Sequence, residues 1–270
     1  MPKPNHAFTL IELIVVVAVI ALLAVSVLPA LAARSRPQVL RLNCSNNLKQ
    51  VGLAFRTWAA GHSGSMPMTV SGASGGAAED VDSNARSVTT SQLTSHGACK
   101  MFLCLSNQLT TPKFLFCPAE YETAYRQMAT TFSGASASGT VPYTNDLNIS
   151  YFVGVDASEI NPRMLLTGDH NLGGNAIPPT TAYLAAPSIG NAKLSLGTNF
   201  MSTMGPAWMD NMHGKQGNVG MADGSVEWFS RTNLQTALKN TGDRNHSSHA
   251  TYSLATGVTA MQGLNCILLP

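Results

Sequence analysis

Charged residues are scarce in this chain of 270 residues. Asp, Glu, Lys and Arg together make up 11% of it, and the formal net charge is only +2. Proteins that bind nucleic acid carry a concentrated basic face, and acidic tails appear as runs of like charge. The sequence has neither, so we expect no nucleic-acid partner.

The sequence motifs of common enzymes are also missing. There is no glycine-rich phosphate loop, no dinucleotide-binding fingerprint and no serine nucleophile elbow. Five cysteines occur, but no two have the C-x-x-C spacing of a zinc or redox site. We therefore predict no catalytic residue, no metal site and no enzymatic activity. Outside the cytoplasm, where disulfides form, the odd count leaves at least one thiol free or bonded between chains.

What the chain does have is a long apolar run, residues 8–33, with a single charge at Glu12. At ~1.5 Å per residue the run is long enough to cross a hydrocarbon core of ~30 Å as a helix. A carboxylate in such a span is costly, so Glu12 needs a reason to be there. A secretory signal has a shorter apolar region, with the small residue of its cleavage site after it. Here the small residue, Ala7, comes before the run.

Residues 7–12, AFTLIE, resemble the prepilin cleavage and methylation motif, Gly-Phe-Thr-Leu-Ile-Glu, of type IV pilins and type II secretion pseudopilins. The resemblance implies that residues 1–7 are a leader, that prepilin peptidase cuts between Ala7 and Phe8, and that Phe8 is then N-methylated. It also implies that Glu12 acts in assembly with other subunits at an inner-membrane assembly platform, and that Pro29 kinks the helix. Ala7 departs from the family's usual glycine.

The plain alternative is a signal anchor in which Glu12 is incidental. Arg34, Arg36 and Arg41 follow the apolar run, whereas Lys3 is the only charged side chain before it. This distribution favours a cytoplasmic location for the large domain. The motif favours the opposite, a single-pass protein of the bacterial inner membrane with the large domain in the periplasm or on the cell surface. We give the motif more weight because it is correctly placed before a membrane-length run.

Apolar residues continue at helical spacing beyond the run. They form one stripe of a helix: Val39, Leu42, Leu48, Val51, Phe55 and Trp58. The pattern predicts one helix from about Phe8 to Ala60, ended by Gly61 and Gly64. Residues 34–61 would be its amphipathic continuation, packed against an extracytoplasmic β-rich domain at residues 62–270.

Three further segments resemble a large pilin-like family abundant in planctomycetes and verrucomicrobia. Residues 43–54, NCSNNLKQVGLA, are similar to its Cys-x-Asn-Asn-Leu-Lys-Gln segment, and residues 115–120, LFCPAE, to its Leu-x-Cys-Pro-x-Asp segment. The family has a cysteine in each, which implies a Cys44–Cys117 disulfide, although the residues themselves leave the pairing open. The spacing from His213 over nine residues to Asp223 and Gly224 matches the pattern that names the family's C-terminal region, whose role is undefined.

Strand signals complete the predicted fold. We expect strands at residues 113–119, 149–155 and 164–169, and a hairpin of residues 219–222 and 225–229 around a type I′ Asp-Gly turn. Residues 63–90 are rich in Gly, Ser, Ala and Thr, and residues 171–206 are low in charge. Both segments are predicted to be surface loops. The fold class is α+β and pilin-like, with a long N-terminal helix packed on an antiparallel sheet.

These features predict a structural pilin-like subunit of a type II secretion pseudopilus or a type IV pilus-like filament. One alternative is a membrane-tethered binding or adhesion module that never polymerises. Another is a metal-dependent enzyme built from Asp169, His170, His213 and Asp223. We disfavour it, because the turn explains Asp223 and we expect His213 to hydrogen-bond to backbone near the hairpin. Calcium is the one cofactor that the resemblance suggests, although no loop has calcium spacing.

Overall fold

The structure is a computed structural model. It describes residues 9–82, 98–120, 126–134, 138–174, 178–179, 181–182, 193–195, 206–240 and 266–270, with only the backbone for residues 27–36, 181–182, 193–195, 239–240 and 266. The chain divides into two compact units, residues 1–40 and residues 41–270. Within the part of the chain that the structure describes, none of the helices has the length and hydropathy that a membrane crossing demands.

One helix, α1, runs from Leu10 to Ala60 over 51 residues. It ends where the predicted stop signals stand, because Gly64 takes a left-handed φ of 79° and donates its N–H to the Ala59 carbonyl at 2.9 Å. The backbone of α1 is helical through Pro29. A kink at Pro29 and the membrane-spanning role of residues 8–33 stay predictions.

The buried face of α1 differs from the predicted stripe at its start. Leu48, Val51, Phe55 and Trp58 are buried as expected, whereas Val39 and Leu42 are 51% and 60% exposed. The buried series begins instead at Cys44, four residues before Leu48. Val39 and Leu42 are off this face because the spacing of the buried positions, continued backwards, falls on residues 40 and 41.

An antiparallel sheet of six strands forms the centre of the large unit, in the order β5-β9-β1-β2-β7-β8, and a second sheet has the order β4-β3-β6. The strands are β1 Tyr151–Gly154, β2 Leu165–Asp169, β3 Leu172–Gly174, β4 Thr181–Ala182, β5 Lys193–Ser195, β6 Ala207–Trp208, β7 Gln216–Met221, β8 Val226–Ser230 and β9 Cys266–Leu268. The other α-helices of the described residues are α2 Ala78–Asp82, α3 Ala98–Cys104, α4 Ser106–Leu109 and α5 Arg231–Asn240. The α+β class, with an N-terminal helix and an antiparallel sheet, is therefore as predicted.

The sheet carries the core of this unit. Strands β1, β2, β7, β8 and β9 contribute buried apolar side chains, and α5 adds Leu234 and Leu238. In α5 these two residues are four apart and so lie on one helical face. Phe152, Leu165, Trp208 and Val219 are among the most deeply buried members of the cluster.

Two predicted segments have a different structure. Residues 113–119 are not a strand, because Pro112–Leu115 forms a 3-10 helix in which the Thr111 hydroxyl accepts the Lys113 N–H. Leu115, Cys117 and Ala119 are nevertheless buried, as the prediction of a buried segment implied. The described part of residues 63–90 contains the 3-10 helices Pro67–Thr69 and Gly72–Ser74, followed by α2.

The prediction that residues 171–206 form a surface loop is wrong for the first part of this range. Strand β3 is buried over its whole length because Leu172 belongs to the core and pairs with Trp208 of β6. Strand β5, from the same range, adds to the edge of the large sheet through β9. Much of the remaining range lies outside the described residues.

The hairpin of β7 and β8 lies where it was predicted, but its turn is not the predicted type I′ turn. A type I′ turn needs positive φ at both central residues, and within this loop only Gly224 has one, at 86°. Met221 donates its N–H to Ser225 at 2.8 Å and accepts from Gly224 at 2.9 Å. The loop is therefore the three-residue kind that ends in a left-handed glycine. The Asp223 carboxylate accepts the Ser225 N–H at 2.8 Å, so its role in the turn is as expected.

Candidate functional site

Four polar side chains meet inside the large unit. They are Cys44, Cys117, Asp169 and His213, and their sulfur, nitrogen and carboxylate oxygen atoms all lie within 4.8 Å of one another. Cys44, Cys117 and Asp169 have no exposed surface, and His213 is 5% exposed. We call this group the Cys-Asp-His cluster.

Four separate segments of the chain supply the cluster. Cys44 opens the buried face of α1, and Asp169 is the last residue of β2, directly opposite Tyr151 of β1. Cys117 follows the 3-10 helix at Pro112–Leu115. The amide of Asn47, on α1, donates to the Phe116 carbonyl at 3.1 Å and so ties the Cys117 segment to the helix that carries Cys44.

His213 lies in a strained loop before β7. Met212, Gly214 and Lys215 have φ values of 56°, 61° and 68°, so left-handed residues flank it on both sides. For non-glycine residues this conformation costs of order 1–3 kcal/mol each, and such strain is concentrated at functional sites. Arg41 donates to the His213 carbonyl at 3.3 Å and helps to hold the loop.

From the sequence we expected the ring of His213 to hydrogen-bond to backbone near the hairpin. The ring contacts side chains of the cluster instead. Its Nε2 lies 3.3 Å from the Cys117 sulfur and 3.4 Å from Asp169 Oδ2. The expectation was wrong because the left-handed residues turn the loop towards the end of β2, where the carboxylate is buried.

Asp169 is the acceptor at the centre of the cluster. Its Oδ1 accepts from the Cys44 thiol at 3.0 Å, and its Oδ2 accepts from the backbone and side-chain amides of Asn218 at 2.6 and 3.1 Å. The Tyr151 hydroxyl lies 3.1 Å from the Cys44 sulfur. On the other side, the Ala119 N–H donates to the Cys117 sulfur at 3.4 Å.

Burial and mutual contact shift the pKa values of all four groups. Burial raises the pKa of Cys44, and the neighbouring Cys117 and Asp169 add to the rise. Burial also raises the pKa of Asp169, against the opposing effects of His213 and Asn218. The pKa of Cys117 is lowered and that of His213 is raised, because their contacts outweigh the effect of burial on each. In this network the Cys44 thiol is a donor and the Asp169 carboxylate is its acceptor.

The Cys44–Cys117 disulfide implied by the family resemblance stays a prediction, and both residues are free cysteines in this structure. The structure brings both sulfurs into the cluster, so the two segments do meet, but each cysteine keeps its thiol. Each sulfur also contacts other groups: Cys44 contacts Asp169 and Tyr151, and Cys117 contacts His213.

The residues that we considered for an enzyme do not form one site. His170 is adjacent to Asp169 in sequence but pairs with Glu120, at 2.7 Å, with both side chains almost fully buried. Asp223 is in the hairpin loop, where it serves the turn. Only Asp169 and His213 of that set come together, and they do so with two cysteines that sequence reasoning had assigned to a disulfide.

At the other end of the chain, Glu12 has a local partner. Its carboxylate accepts from the N–H and hydroxyl of Thr9 at 2.9 and 2.7 Å, and the Thr9 hydroxyl accepts the Glu12 N–H at 3.3 Å. This reciprocal pattern is a capping box, which satisfies free N–H groups at a helix start. Ala7 and Phe8 lie outside the described residues.

Comparison with known families concerns this same end. The chain carries a prokaryotic N-terminal methylation motif, matched over residues 2–28. The motif includes Ala7, Phe8 and Glu12, and it supports a pilin-like protein of the kind that prepilin peptidase processes and that assembles with other pilins. No curated protein and no solved structure shows a significant match to the chain.

Proposed function

We propose that the protein is a structural, non-enzymatic pilin-like subunit of the pseudopilin type. Residues 8–33 insert in the bacterial inner membrane, and prepilin peptidase cuts after Ala7 and methylates Phe8. The mature chain then assembles into a type II secretion pseudopilus or a type IV pilus-like filament, with the large domain in the periplasm or on the cell surface. The methylation motif at residues 2–28 is the observation that carries this proposal.

The form of α1 supports it. The helix continues without a break from the matched segment to the residues that form the domain core. In its first part the apolar side chains are exposed, with Leu10, Leu22 and Val25 more than 70% accessible. A contiguous apolar surface of this kind marks contact with lipid or with other proteins. Lipid covers it in the membrane, and helices of neighbouring subunits cover it in a filament.

Glu12 has two roles in this proposal. In the subunit it caps α1 through Thr9. In the filament its carboxylate pairs with the methylated amine of Phe8 on an adjacent subunit, as the family resemblance implies. Because an unpaired charge buried among helices is strongly destabilising, such a pair fixes the register of assembly more than it adds stability.

Mass spectrometry of the mature N-terminus tests the processing step. With prepilin peptidase present, we expect a chain that begins at N-methylated Phe8. Ala7→Gly restores the residue usual in the family and should be processed at least as well, whereas Ala7→Leu should retain residues 1–7 because the cleavage position needs a small side chain. A wild-type chain that keeps its leader beside an active peptidase would contradict the proposal.

Two substitutions separate the roles of Glu12. Glu12→Gln keeps an oxygen that can accept from Thr9, since glutamine also serves in a capping box, but it removes the charge. Thr9→Ala weakens the cap and keeps the charge. We expect both variants to reach the membrane fraction, and only Glu12→Gln to fail to form sedimentable or crosslinked filaments.

Normal assembly of Glu12→Gln would contradict the role of the charge. Equal failure of Thr9→Ala would mean that Glu12 acts through the cap alone. If the wild-type chain carries methylated Phe8 but shows no crosslinks between subunits, the protein is instead a membrane-tethered binding module that does not polymerise.

A further inference from the structure

We propose that the Cys-Asp-His cluster binds one divalent transition-metal ion, zinc by the chemistry of its donors, as a structural site within the domain. This inference is independent of the proposed role in filaments. It concerns residues 41–270, whereas the methylation motif lies in residues 2–28.

The spacing of the donors fits a tetrahedral ion. Zinc bonds of ~2.3 Å to sulfur and ~2.0–2.2 Å to nitrogen or oxygen place neighbouring ligand atoms roughly 3.3–3.8 Å apart. The Cys117 sulfur and His213 Nε2 are 3.3 Å apart, and His213 Nε2 and Asp169 Oδ2 are 3.4 Å apart. The Cys44 sulfur is 3.0 Å from Asp169 Oδ1, and no pair of the four donors exceeds 4.8 Å. Small side-chain rotations therefore suffice to surround one ion.

The kinds of donor select the ion. Thiolates and imidazole favour zinc and similar transition metals, and four protein ligands with no open position are typical of structural zinc. Calcium, which we considered from the family resemblance, takes about 6–8 oxygen ligands. The cluster offers one carboxylate and two sulfurs, so its chemistry does not suit calcium.

The surroundings of the donors are those of metal ligands. The Tyr151 hydroxyl can donate to the Cys44 sulfur at 3.1 Å, and the Ala119 N–H donates to the Cys117 sulfur at 3.4 Å. Such bonds stabilise a thiolate more than a thiol, since the thiolate is the stronger acceptor. Asn218 donates twice to Asp169 Oδ2 and so orients the carboxylate within the cluster. Ligands fixed by outer hydrogen bonds are the usual design of metal sites.

The charges of the four ligands also favour a bound divalent ion. Two thiolates and one carboxylate carry three negative charges, and buried charges need partners. A divalent ion neutralises two of them. The guanidinium of Arg41 adds a positive charge nearby: it donates to the His213 carbonyl at 3.3 Å and acts electrostatically on the His213 ring. Metal binding would release the protons of the two thiols, because thiolates are the form that binds the ion.

The site would crosslink the domain. Its four ligands come from α1, from the loop after Pro112–Leu115, from the end of β2 and from the loop before β7. A single ion there joins the helix to the sheet and offsets the strain of the left-handed residues beside His213. Because all four coordination positions are filled by protein, the ion has a structural and not a catalytic role.

The test uses the full-length chain, purified in mild detergent without chelators. We expect about one zinc ion per chain by elemental mass spectrometry, as for a closed site. Exchange for Co²⁺ should produce a thiolate-to-cobalt charge-transfer band and the ligand-field bands of a tetrahedral ion. Cys44→Ser and His213→Ala should lose stoichiometric metal. Cys104→Ser, a half-buried cysteine outside the cluster, is the matched control and should keep it.

Two further measurements guard against variants that fail to fold. Removing the metal from the wild-type chain with a chelator should lower its unfolding temperature, and added Zn²⁺ should restore it. Asn218→Ala keeps all four ligands but loses one outer hydrogen bond, so we expect metal affinity to fall about 10–100-fold while the tetrahedral cobalt spectrum is retained.

Three results would overturn the proposal. One is a folded wild-type chain that contains no zinc and gives no tetrahedral cobalt spectrum. Another is loss of metal from Cys104→Ser equal to that from Cys44→Ser. The third is a Cys44–Cys117 disulfide, found by non-reducing mass spectrometry of protein taken from the membrane, because oxidised sulfurs could not bind the ion.

Discussion

The buried half of α1 leads to a quantitative prediction for Phe55. This side chain is fully buried and meets Phe102 of α3 edge to face, with ring centroids 6.0 Å apart. Replacing such a phenylalanine with alanine costs about 3–5 kcal/mol in free energy of unfolding, because apolar contacts are lost and a cavity remains. The aromatic pair contributes about 0.5–1.5 kcal/mol of this. Since a domain is stable by roughly 5–15 kcal/mol in total, Phe55→Ala should remove a large share.

Leu53 provides a control on the same helix. It is two residues from Phe55 but 60% exposed. Leucine and alanine have similar helix propensities, so Leu53→Ala should change the free energy of unfolding by less than about 0.5 kcal/mol. The difference between Phe55→Ala and Leu53→Ala therefore measures the loss of core packing, apart from any effect of the substitution on helix propensity.

Urea unfolding of the full-length chain in mild detergent, followed by circular dichroism and tryptophan fluorescence, measures both variants. A double-mutant cycle of Phe55→Leu and Phe102→Leu isolates the energy of the ring pair. If Phe55→Ala costs no more than Leu53→Ala, α1 is not part of the domain core and our account of the helix is wrong.

Two other substitutions test buried contacts of this unit. Burial alone raises the pKa of Glu120, but the hydrogen bond and charge of His170 and the charge of Arg126 outweigh it, so this pKa lies below its usual value. Glu120→Gln should therefore lower the free energy of unfolding by roughly 1–3 kcal/mol at neutral pH. Unfolding measured over a range of pH should show this difference from wild type disappear as the pH falls from about 4.3, the usual value for glutamate, through the lower pKa of the folded state. Gly217→Ala should cost about 1–3 kcal/mol in thermal or urea unfolding, because its Cβ would stand 2.6 Å from the Trp208 ring.

Each of these has an outcome that would count against it. A Glu120→Gln deficit that stays constant down to acid pH would mean that the carboxylate charge contributes nothing. For Gly217→Ala the comparison is Gly134→Ala, where an added Cβ meets nothing within 4 Å. Equal stability of these two alanine variants would show that the contact with Trp208 is not restrictive.

Local patterns in the sequence predict the elements whose causes are local. The end of α1 follows from Gly61 and Gly64, and strands β1 and β2 follow from short apolar runs. The methylation motif needs only residues 2–28, and the family comparison finds it there. The hairpin follows from Asp223 and Gly224, although a single left-handed residue was enough for the turn.

Other features depend on neighbours that a local pattern does not contain. The apolar run at residues 113–119 suggested a buried strand, but the chain forms a 3-10 helix because Pro112 and Thr111 start one. The stripe on α1 was placed too early because Val39 and Leu42 lie off the helix face on which Leu48 is buried. The capping box of Thr9 and Glu12 is legible in the sequence as Thr-x-x-Glu, and we had assigned Glu12 to assembly alone.

By itself, then, the sequence determined the methylation motif, the long helix and the α+β class, since each rests on residues close together in the chain. Only the tertiary structure decided the Cys-Asp-His cluster. Its ligands come from a helix, a loop, a strand end and a strained turn, with none of the short spacing by which a metal site is usually recognised. The physical reason is that the sheet and α1 must pack before Cys44, Cys117, Asp169 and His213 can share one small buried volume.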